Sequence, residues 1–320
     1  MKGFRRLLGF ALYLFMAFPL TLGGLALASV RPFASEPAAV KSLIMDSRFS
    51  TLLRSPDLVE LAPETMELGD ATLDGKAATA AFQASVPSSV LVSTVTSAID
   101  AGFAAAERHE AFFAVDARPL KGAVKAGAPV FADVYVQKAR STQPADRDGS
   151  VAITLPADAS GRVAAAAIVI EAANEQPDEW IVGEPGSRFE APAKMGAMGA
   201  NLASASVWLL VTGAGLCFAS VMVSDSDWRK RLGRLGARVL VPSAIVLAIG
   251  LGPRLFPGTF TRLPSGAGGA SLPDLAEYLR FLSTKLGAGF LTSGLIGLGV
   301  GTALVSVQRA LPLPEEEDLD

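Results

Sequence analysis

The chain of 320 residues contains one cysteine and one histidine. A single cysteine, Cys217, cannot form an intramolecular disulfide bond. A structural zinc site needs several cysteine or histidine ligands, so the sequence predicts no such site. A Ser-His-Asp triad would have to use His109, and no G-x-S-x-G motif accompanies that residue. We therefore expect a protein that is not an enzyme and that holds no metal and no cofactor.

Charged residues are also scarce, at 18% of the chain, while half of the residues are apolar. Four long runs contain no Asp, Glu, Lys or Arg, which is typical of helices that cross a bilayer. These runs are 7–30, 195–223, 239–253 and 286–308. The almost complete absence of ionisable residues from them disfavours a pump or a coupled transporter, which usually needs charged groups inside the membrane.

Two of the runs need a further assumption. The run 239–253 is too short to cross about 30 Å of hydrocarbon. We expect its helix to begin earlier, with Arg234 and Arg238 extending their side chains toward the headgroups. The run 7–30 has a rival interpretation as a cleaved signal peptide, because residues 26–28 fit an A-x-A cleavage site. Its length exceeds a usual signal-peptide core of about 7–15 residues, which favours an uncleaved anchor.

Basic residues are concentrated before the first run and between the second and third runs. Under the positive-inside rule, both segments lie in the cytoplasm. Together with a composition rich in alanine and arginine, this predicts a multi-pass protein of a bacterial cytoplasmic (inner) membrane, with both termini inside. The residues that set this topology are Arg5, Arg6, Arg229, Lys230, Arg231 and Arg234.

The predicted fold is a mostly α integral membrane protein with four transmembrane helices and a mainly helical extracytoplasmic domain that allows some short strands. The basic turn at 224–238 is cytoplasmic and the loop 254–285 lies outside. In that loop, Ser271 is expected to cap a helix that leads into the fourth span. The predicted parts are an N-terminal anchor (1–30), the extracytoplasmic domain (31–194), the remaining spans (195–308) and an acidic cytoplasmic tail (309–320).

The extracytoplasmic domain carries 22 acidic and 15 basic residues, and this acidic excess disfavours binding to nucleic acid. Apolar spacing predicts helices at 37–54, 56–68, 87–107 and 119–139. Ser55 is the expected N-cap of the second, with Pro56 at its first position. Residues 69–76 are expected to form a loop and 175–192 a linker to the membrane. The apolar runs 151–155 and 163–170 fit either strands or helices.

The stretch HEAFFAVDARPLKGAV, residues 109–124, gathers the features that most resemble a site. We interpret it as a structural joint, in which a short extended segment separates the end of one helix from a helix opened by Pro119. An active site is the less favoured alternative. If the outer domain binds a ligand, the joint is the expected place. Its candidate residues are Phe112, Phe113, Asp116, Arg118 and Lys121.

Other motifs are weaker. Residues 69–76 resemble a phosphate-binding loop, but five residues separate the two glycines and alanine replaces the magnesium-binding Ser or Thr. We interpret them as a turn. Asp146, Asp148 and Asp158 could hold calcium, although they lack EF-hand spacing. In the fourth run, Gly294, Gly297 and Gly301 are predicted to form a helix-contact face, since missing side chains let helix backbones approach.

Two segments carry a resemblance: VKSLIMDSRFSTLLRSPDLVELAP and VPSSVLVSTVTSAIDAGFAAAERHEAFFAVDARPLKGAV. With the order of spans, they resemble a loose set of uncharacterised bacterial four-span membrane proteins with a helical extracytoplasmic domain between the first two spans. The resemblance implies a helix, a short extended stretch and a helix opened by Pro-Leu-Lys in the second segment. It implies no activity. Outer-domain cysteines common in that set are absent here.

The expected function is therefore a non-enzymatic inner-membrane protein whose extracytoplasmic domain serves binding or assembly. Its expected partners are the lipid bilayer and a periplasmic protein or small ligand, and oligomers are allowed. The alternative is a channel or transporter component that forms when several copies of the glycine-rich spans associate. A membrane-bound enzyme that uses outer-domain acids ranks third.

Overall fold

The computed structural model describes residues 2–69, 71–108, 110, 112–139, 155, 158–183, 190–224, 227–256 and 272–310. Of these residues, 84% are helical, so the mostly α prediction is confirmed. Within the described residues, five helices are long and apolar enough to cross a membrane, which supports a multi-pass membrane protein. Four of them contain the predicted spans, and the fifth is the helix predicted at 87–107.

The elements follow one another along the chain with few strands. In order they are α1 (Lys2–Leu12), a π-helical segment (Tyr13–Ala17), α2 (Phe18–Ser35), α3 (Pro37–Ile44), α4 (Ser47–Leu53), α5 (Pro56–Glu60), β1 (Thr65–Leu68), β2 (Ala71–Asp74), α6 (Gly75–Ser85), α7 (Ser88–Glu107), β3 (Phe113–Asp116), α8 (Arg118–Ala139), α9 (Ala159–Glu175), β4 (Glu179–Val182), α10 (Glu190–Ser224), α11 (Trp228–Leu255) and α12 (Pro273–Ala310).

The chain divides into two compact units. Unit 1 comprises Met1–Glu36, Met198–Phe260 and Arg280–Asp320. Unit 2 comprises Pro37–Ala197 and Thr261–Leu279. The boundary within α12 falls after Leu279, so the first turns of that helix belong to unit 2 and the rest to unit 1.

Unit 1 inverts the burial pattern of a water-soluble protein. Many of its large apolar side chains face outward, as with Phe15 at 75% and Trp208 at 71% exposure. Small and hydroxyl-bearing side chains fill the interior instead, and most of the hydroxyls donate to carbonyls of their own helices. This arrangement suits a hydrocarbon surround, where close backbone packing rather than burial of large side chains holds helices together. The buried hydroxyl residues are Thr21, Ser29, Ser206, Ser220, Ser224 and Ser243.

Helices α11 and α12 run antiparallel in close contact along a seven-residue repeat of small residues. A Cβ atom on Gly294 would lie 2.8 Å from the Leu247 amide nitrogen, and one on Gly301 would lie 3.0 Å from the Gly236 carbonyl oxygen. A Cβ on Gly297 would collide with the Ser243 side chain. The predicted helix-contact residues therefore face α11 inside unit 1. The repeat consists of Gly236, Ser243 and Gly250 on α11 and of Gly287, Gly294 and Gly301 on α12.

The π-helical segment keeps one side of the first long helix facing inward. Gly9, Tyr13, Ala17 and Thr21 are all buried at a spacing of four residues. On an α-helix such a spacing would rotate by about 40° at each step. A wider π-helical turn removes this drift, and it also makes room for Pro19, whose ring disturbs the preceding turn.

Unit 2 begins with three short helices where the sequence predicted two longer ones. The helix expected at 37–54 is interrupted between α3 and α4, where the Asp46 carboxylate accepts a hydrogen bond from the Arg48 amide and starts a new helix. Ser55 caps α5 as predicted, accepting a hydrogen bond from the Asp57 amide. The helix expected at 56–68 is wrong beyond Glu60, because Thr65–Leu68 forms strand β1.

The predicted loop at 69–76 is a strand and a helix start. Strand β2 pairs with β1 in an antiparallel hairpin, from Thr65 opposite Asp74 to Leu68 opposite Ala71. Gly69, at the turn, has a φ of 58°, a left-handed conformation that glycine adopts readily. Asp74 then caps α6 by accepting a hydrogen bond from the Ala77 amide. The resemblance to a phosphate-binding loop therefore comes from a hairpin turn and a helix cap.

The hydrophobic core of unit 2 lies between α6, α8 and α9. Alanines of all three helices bring the backbones close around two aromatic residues, Phe131 and Tyr135, which are each 1% exposed. The Tyr135 hydroxyl accepts a hydrogen bond from the Asp74 amide, and burial raises the pKa of Tyr135. The apolar run at 163–170, which fitted either structure, lies within helix α9. The run 151–155 lies outside the described residues except for Leu155.

Candidate functional site

The predicted joint contains one strand of a two-stranded sheet. Strand β3 pairs antiparallel with β4, with Phe113 opposite Val182 and Asp116 opposite Glu179. The interpretation of 175–192 as a linker is therefore wrong, because that segment supplies β4 and the start of α10. The sequence separation of the two strands hid this pairing, since a four-residue strand gains most of its stability from its partner.

The two faces of this sheet differ. Val115 and Val182 are buried, and the Phe113 ring packs on α7 beside Gly102, where a Cβ atom would lie 3.2 Å from the ring. The opposite face points outward and includes Ile181 at 45% exposure. Phe112, just before the strand, is 59% exposed. One face of the joint therefore packs inside unit 2, and the other face exposes apolar side chains.

Asp116 and Arg118 form a charged fork at the end of β3. The Arg118 Nε and Nη2 atoms donate to the two carboxylate oxygens of Asp116 at 2.9 Å each, and the Arg118 amide donates to the same carboxylate. These hydrogen bonds hold the pKa of Asp116 below its usual value and raise the pKa of Arg118. Asp116 is therefore ionised at neutral pH and caps the start of α8.

Lys121 connects α8 to the segment before β4. Its Nζ donates to the Gln176 carbonyl oxygen at 2.7 Å and to the Asp178 carboxylate at 2.6 Å. The Lys121 side chain is only 14% exposed. The hydrogen bond from Lys121 lowers the pKa of Asp178, so this carboxyl group is ionised at neutral pH. The Ala117 amide also donates to the Asp178 carbonyl oxygen at 2.8 Å.

The structure therefore brings four of the five candidate joint residues into contacts that hold β3, β4 and α8 together, while Phe112 stays exposed. The charged members use their hydrogen bonds within the joint, so the arrangement favours a rigid surface with an exposed apolar residue. His109 lies outside the described residues. Its neighbours Arg108 and Glu110 form an ion pair with an N–O distance of 3.1 Å at the end of α7.

A second polar cluster, in unit 1, was not predicted as a site. The Arg238 guanidinium donates to the Ser220 hydroxyl and, at 3.4 Å, to the Gly9 carbonyl oxygen. It also lies 5.1 Å from the centre of the Tyr13 ring, whose hydroxyl donates to the Arg238 carbonyl oxygen at 3.0 Å. The expected extension of Arg238 toward the headgroups is therefore wrong, because its side chain joins α1, α10 and α11. The sequence feature that could have indicated this cluster is the pair Ser220 and Ser224, which lie one helical turn apart on α10.

The residues predicted to set the topology lie on α1 and at the start of α11. Arg5 and Arg6 are exposed on α1. Arg229 donates through Nε to the Gln308 carbonyl oxygen at 3.0 Å, and Lys230 pairs with Asp227 at 3.6 Å. Because Arg238 contacts the Gly9 carbonyl, the basic starts of α1 and α11 are at the same end of unit 1.

Among the described residues, no group of three or more His, Cys, Asp or Glu side chains is arranged to hold a metal ion. Of the candidate calcium ligands, Asp146 and Asp148 lie outside the described residues. Asp158 is the N-cap of α9, and its carboxylate accepts hydrogen bonds from the Ser160 and Gly161 amides. Hydrogen bonds from Ser160 and from these amides lower the pKa of Asp158.

Comparison of the chain with known protein families, with curated proteins and with solved structures found no match.

Proposed function

We propose that the chain is a non-enzymatic bacterial inner-membrane protein that presents unit 2 outside the cytoplasm for binding or assembly. The observation that carries this proposal is the contrast between the two units. Unit 1 turns large apolar side chains outward, as lipid requires, while unit 2 buries Phe131 and Tyr135 in a core of its own. A separately packed domain attached to spans is suited to recognition.

Helix α7 supports four spans rather than five. Its exposed residues are mostly polar or small and include Ser89, Ser93 and Asp100, with Val95 as the one large apolar residue among them. The Asp100 carboxylate accepts a hydrogen bond from Lys41 Nζ on α3 at 2.6 Å. Exposed polar residues and an ion pair are unfavourable against lipid but ordinary in water. The positive-inside rule then places the basic end of unit 1 in the cytoplasm and unit 2 outside.

The outward face of the joint is the part of unit 2 best suited to contact a partner. Phe112 and Ile181 are exposed apolar residues on a segment held rigid by the Asp116–Arg118 and Lys121–Asp178 contacts. Rigid exposed aromatic residues are typical anchors of protein interfaces. The role of the joint is thus to present these side chains with little loss of conformational entropy on binding.

Site-specific photo-crosslinking in cells tests this role. A photo-reactive residue at position 112 or 181 should give the same discrete adduct, whether with a protein or with a second copy of the chain. The matched control is Val163, which is 69% exposed on α9. Identical adducts from all three positions, or none from 112 and 181, would contradict a binding role for the joint.

A channel or transporter component is the second candidate. Gly215 and Gly299 favour it, because a Cβ atom on either would meet nothing within 4 Å and these positions are free to pack against another copy. Flux assays on the purified protein in liposomes separate the two functions. Binding or assembly predicts no solute or ion flux above protein-free liposomes, whereas a channel predicts flux that Gly299→Leu reduces.

A further inference from the structure

The first turns of α12 are bound to unit 2 by contacts with α3, α4 and α5. The Tyr278 hydroxyl donates to the Leu43 carbonyl oxygen at 3.3 Å, and the Tyr278 ring lies 5.5 Å from the Phe49 ring, centre to centre. The Arg48 Nε atom lies 3.3 Å from the Glu277 carboxylate. Tyr278 is only 8% exposed, so this is a packed contact rather than a loose surface pair.

The residue at the N-cap position of α12 has no hydrogen-bond acceptor in its side chain. The Leu272 carbonyl oxygen accepts the first helical hydrogen bond, from the Ala276 amide, which makes Leu272 the N-cap residue. A leucine side chain cannot accept a hydrogen bond from the amides of the first turn. The cap expected at Ser271 lies outside the described residues.

Asp57 supplies an acceptor from another part of the chain. Its carboxylate accepts a hydrogen bond from the Leu275 amide at 2.9 Å, across 218 residues of sequence. Asp57 is 4% exposed, and the Asp57 amide donates a hydrogen bond to the Ser55 hydroxyl, which helps to hold Asp57 in position. A buried carboxylate at the positive end of a helix satisfies an unpaired amide and interacts favourably with the helix dipole.

We propose that these contacts form a conformational latch. In the closed latch, α3–α5 and the segment Pro273–Leu279 behave as one body, and the hydrogen bond from the Leu275 amide to Asp57 holds them together. Helix α12 continues without a break from this segment to Ala310. With the latch closed, the segment Pro273–Leu279 is helical from Pro273 and is held against α3–α5 within unit 2. With the latch open, the first two turns of α12 lose their cap and their packing together. The proposal does not depend on what unit 2 binds.

Hydrogen–deuterium exchange on the full-length protein in nanodiscs tests the latch. Loss of an N-cap corresponds to exchange between about twofold and thirtyfold faster in the first turns of the helix. Asp57→Ala should therefore speed exchange in peptides covering residues 273–279. If the segment is held as one body, peptides covering 43–53 should become faster with it. Asp57→Asn, which keeps an acceptor oxygen, should restore most of the protection.

The matched control is Asp158→Ala, which removes the local cap of α9. It should speed exchange only at the start of α9. Should Asp57→Ala fail to fold, Tyr278→Phe removes one latch hydrogen bond while keeping the ring, and it should loosen 273–279 and 43–53 together to a smaller degree. Faster exchange at 273–279 without any change at 43–53 would show an ordinary cap and overturn the latch. Unchanged exchange in both segments would overturn the cap as well.

Discussion

Arg238 concentrates the polar contacts of unit 1 on one guanidinium group. Its partners are the Ser220 hydroxyl on α10, the Gly9 carbonyl on α1 and the Tyr13 ring in the π-helical segment. An arginine in or near a membrane is costly unless such groups replace its hydration. The cluster therefore stabilises the association of three helices. A substitution of Arg238 would remove charge-assisted hydrogen bonds from Ser220 and Gly9 and the cation–π contact with Tyr13.

Arg238→Gln should lower the free energy of unfolding by about 1–2 kcal/mol, because glutamine cannot reach all of these acceptors with a positive charge. Unfolding of the purified protein by sodium dodecyl sulfate in mixed micelles measures the change. Arg254→Gln, at an exposed position near the end of α11, is the control and should have little effect. Equal effects of the two substitutions would contradict a structural role for Arg238.

The Lys121–Asp178 pair makes a pH-dependent contribution at the joint. Because Lys121 lowers the pKa of Asp178 in the folded protein, the stabilisation is present above the unfolded pKa of about 3.9 and is lost as the pH falls through the folded pKa. Lys121→Met should therefore lower the thermal unfolding midpoint of the full-length protein in detergent at pH 7. The difference from the parent should shrink as the pH falls below the unfolded pKa of about 3.9 and through the lower folded pKa of Asp178. A difference that stays the same over this fall in pH would refute the assignment to this ion pair.

The contact between α11 and α12 requires small residues at particular positions. Gly294 faces the Leu247 backbone, whereas Gly299 on the same helix faces open space. Gly294→Ala should reduce the free energy of unfolding by about 1–3 kcal/mol, since its methyl group would force the helices apart. Gly299→Ala should instead be neutral or stabilise by up to about 1 kcal/mol, because alanine favours helices. The two variants are compared in the same detergent titration, and equal signs would contradict the described register.

Helices were easier to predict than strands for a physical reason. The helices predicted at 87–107 and 119–139 match α7 and α8 closely, because their apolar spacing and opening prolines are local signals. Strands β1 and β4 have four residues each and depend on partners, so local patterns could not identify them. The same holds for the Asp57 cap of α12, whose two groups meet only in the folded chain.

The candidate joint was likewise predictable only where its structure depends on neighbouring residues in the sequence. Its sequence correctly suggested an extended segment followed by a helix, and β3 and α8 have that order. The sequence did not reveal that Asp178 and β4 complete it, because the residues that pair across the sheet are far apart in the chain. The Arg238 cluster was missed because its basic residue was assigned to the headgroup region by its position beside other arginines.

At the scale of the whole molecule, the proposed function requires that the two units lie in different surroundings. Many large apolar side chains of unit 1 face outward, as lipid favours, and unit 2 has a packed aromatic core and a mostly polar or small exposed surface on α7. If α7 lies in water, the chain segments before and after it are on the same side of the membrane. If α7 crosses the bilayer, these segments are on opposite sides.

Labelling of single cysteines with a membrane-impermeant maleimide decides between these arrangements most directly. In the background Cys217→Ser, single cysteines replace the exposed residues Glu67 and Lys125, on either side of α7, and Lys230 at the start of α11. With the outer face of the inner membrane accessible, positions 67 and 125 should both be labelled in intact cells, and position 230 only after the membrane is permeabilised. Labelling of only one of 67 and 125, or of 230 together with them, would contradict the four-span account.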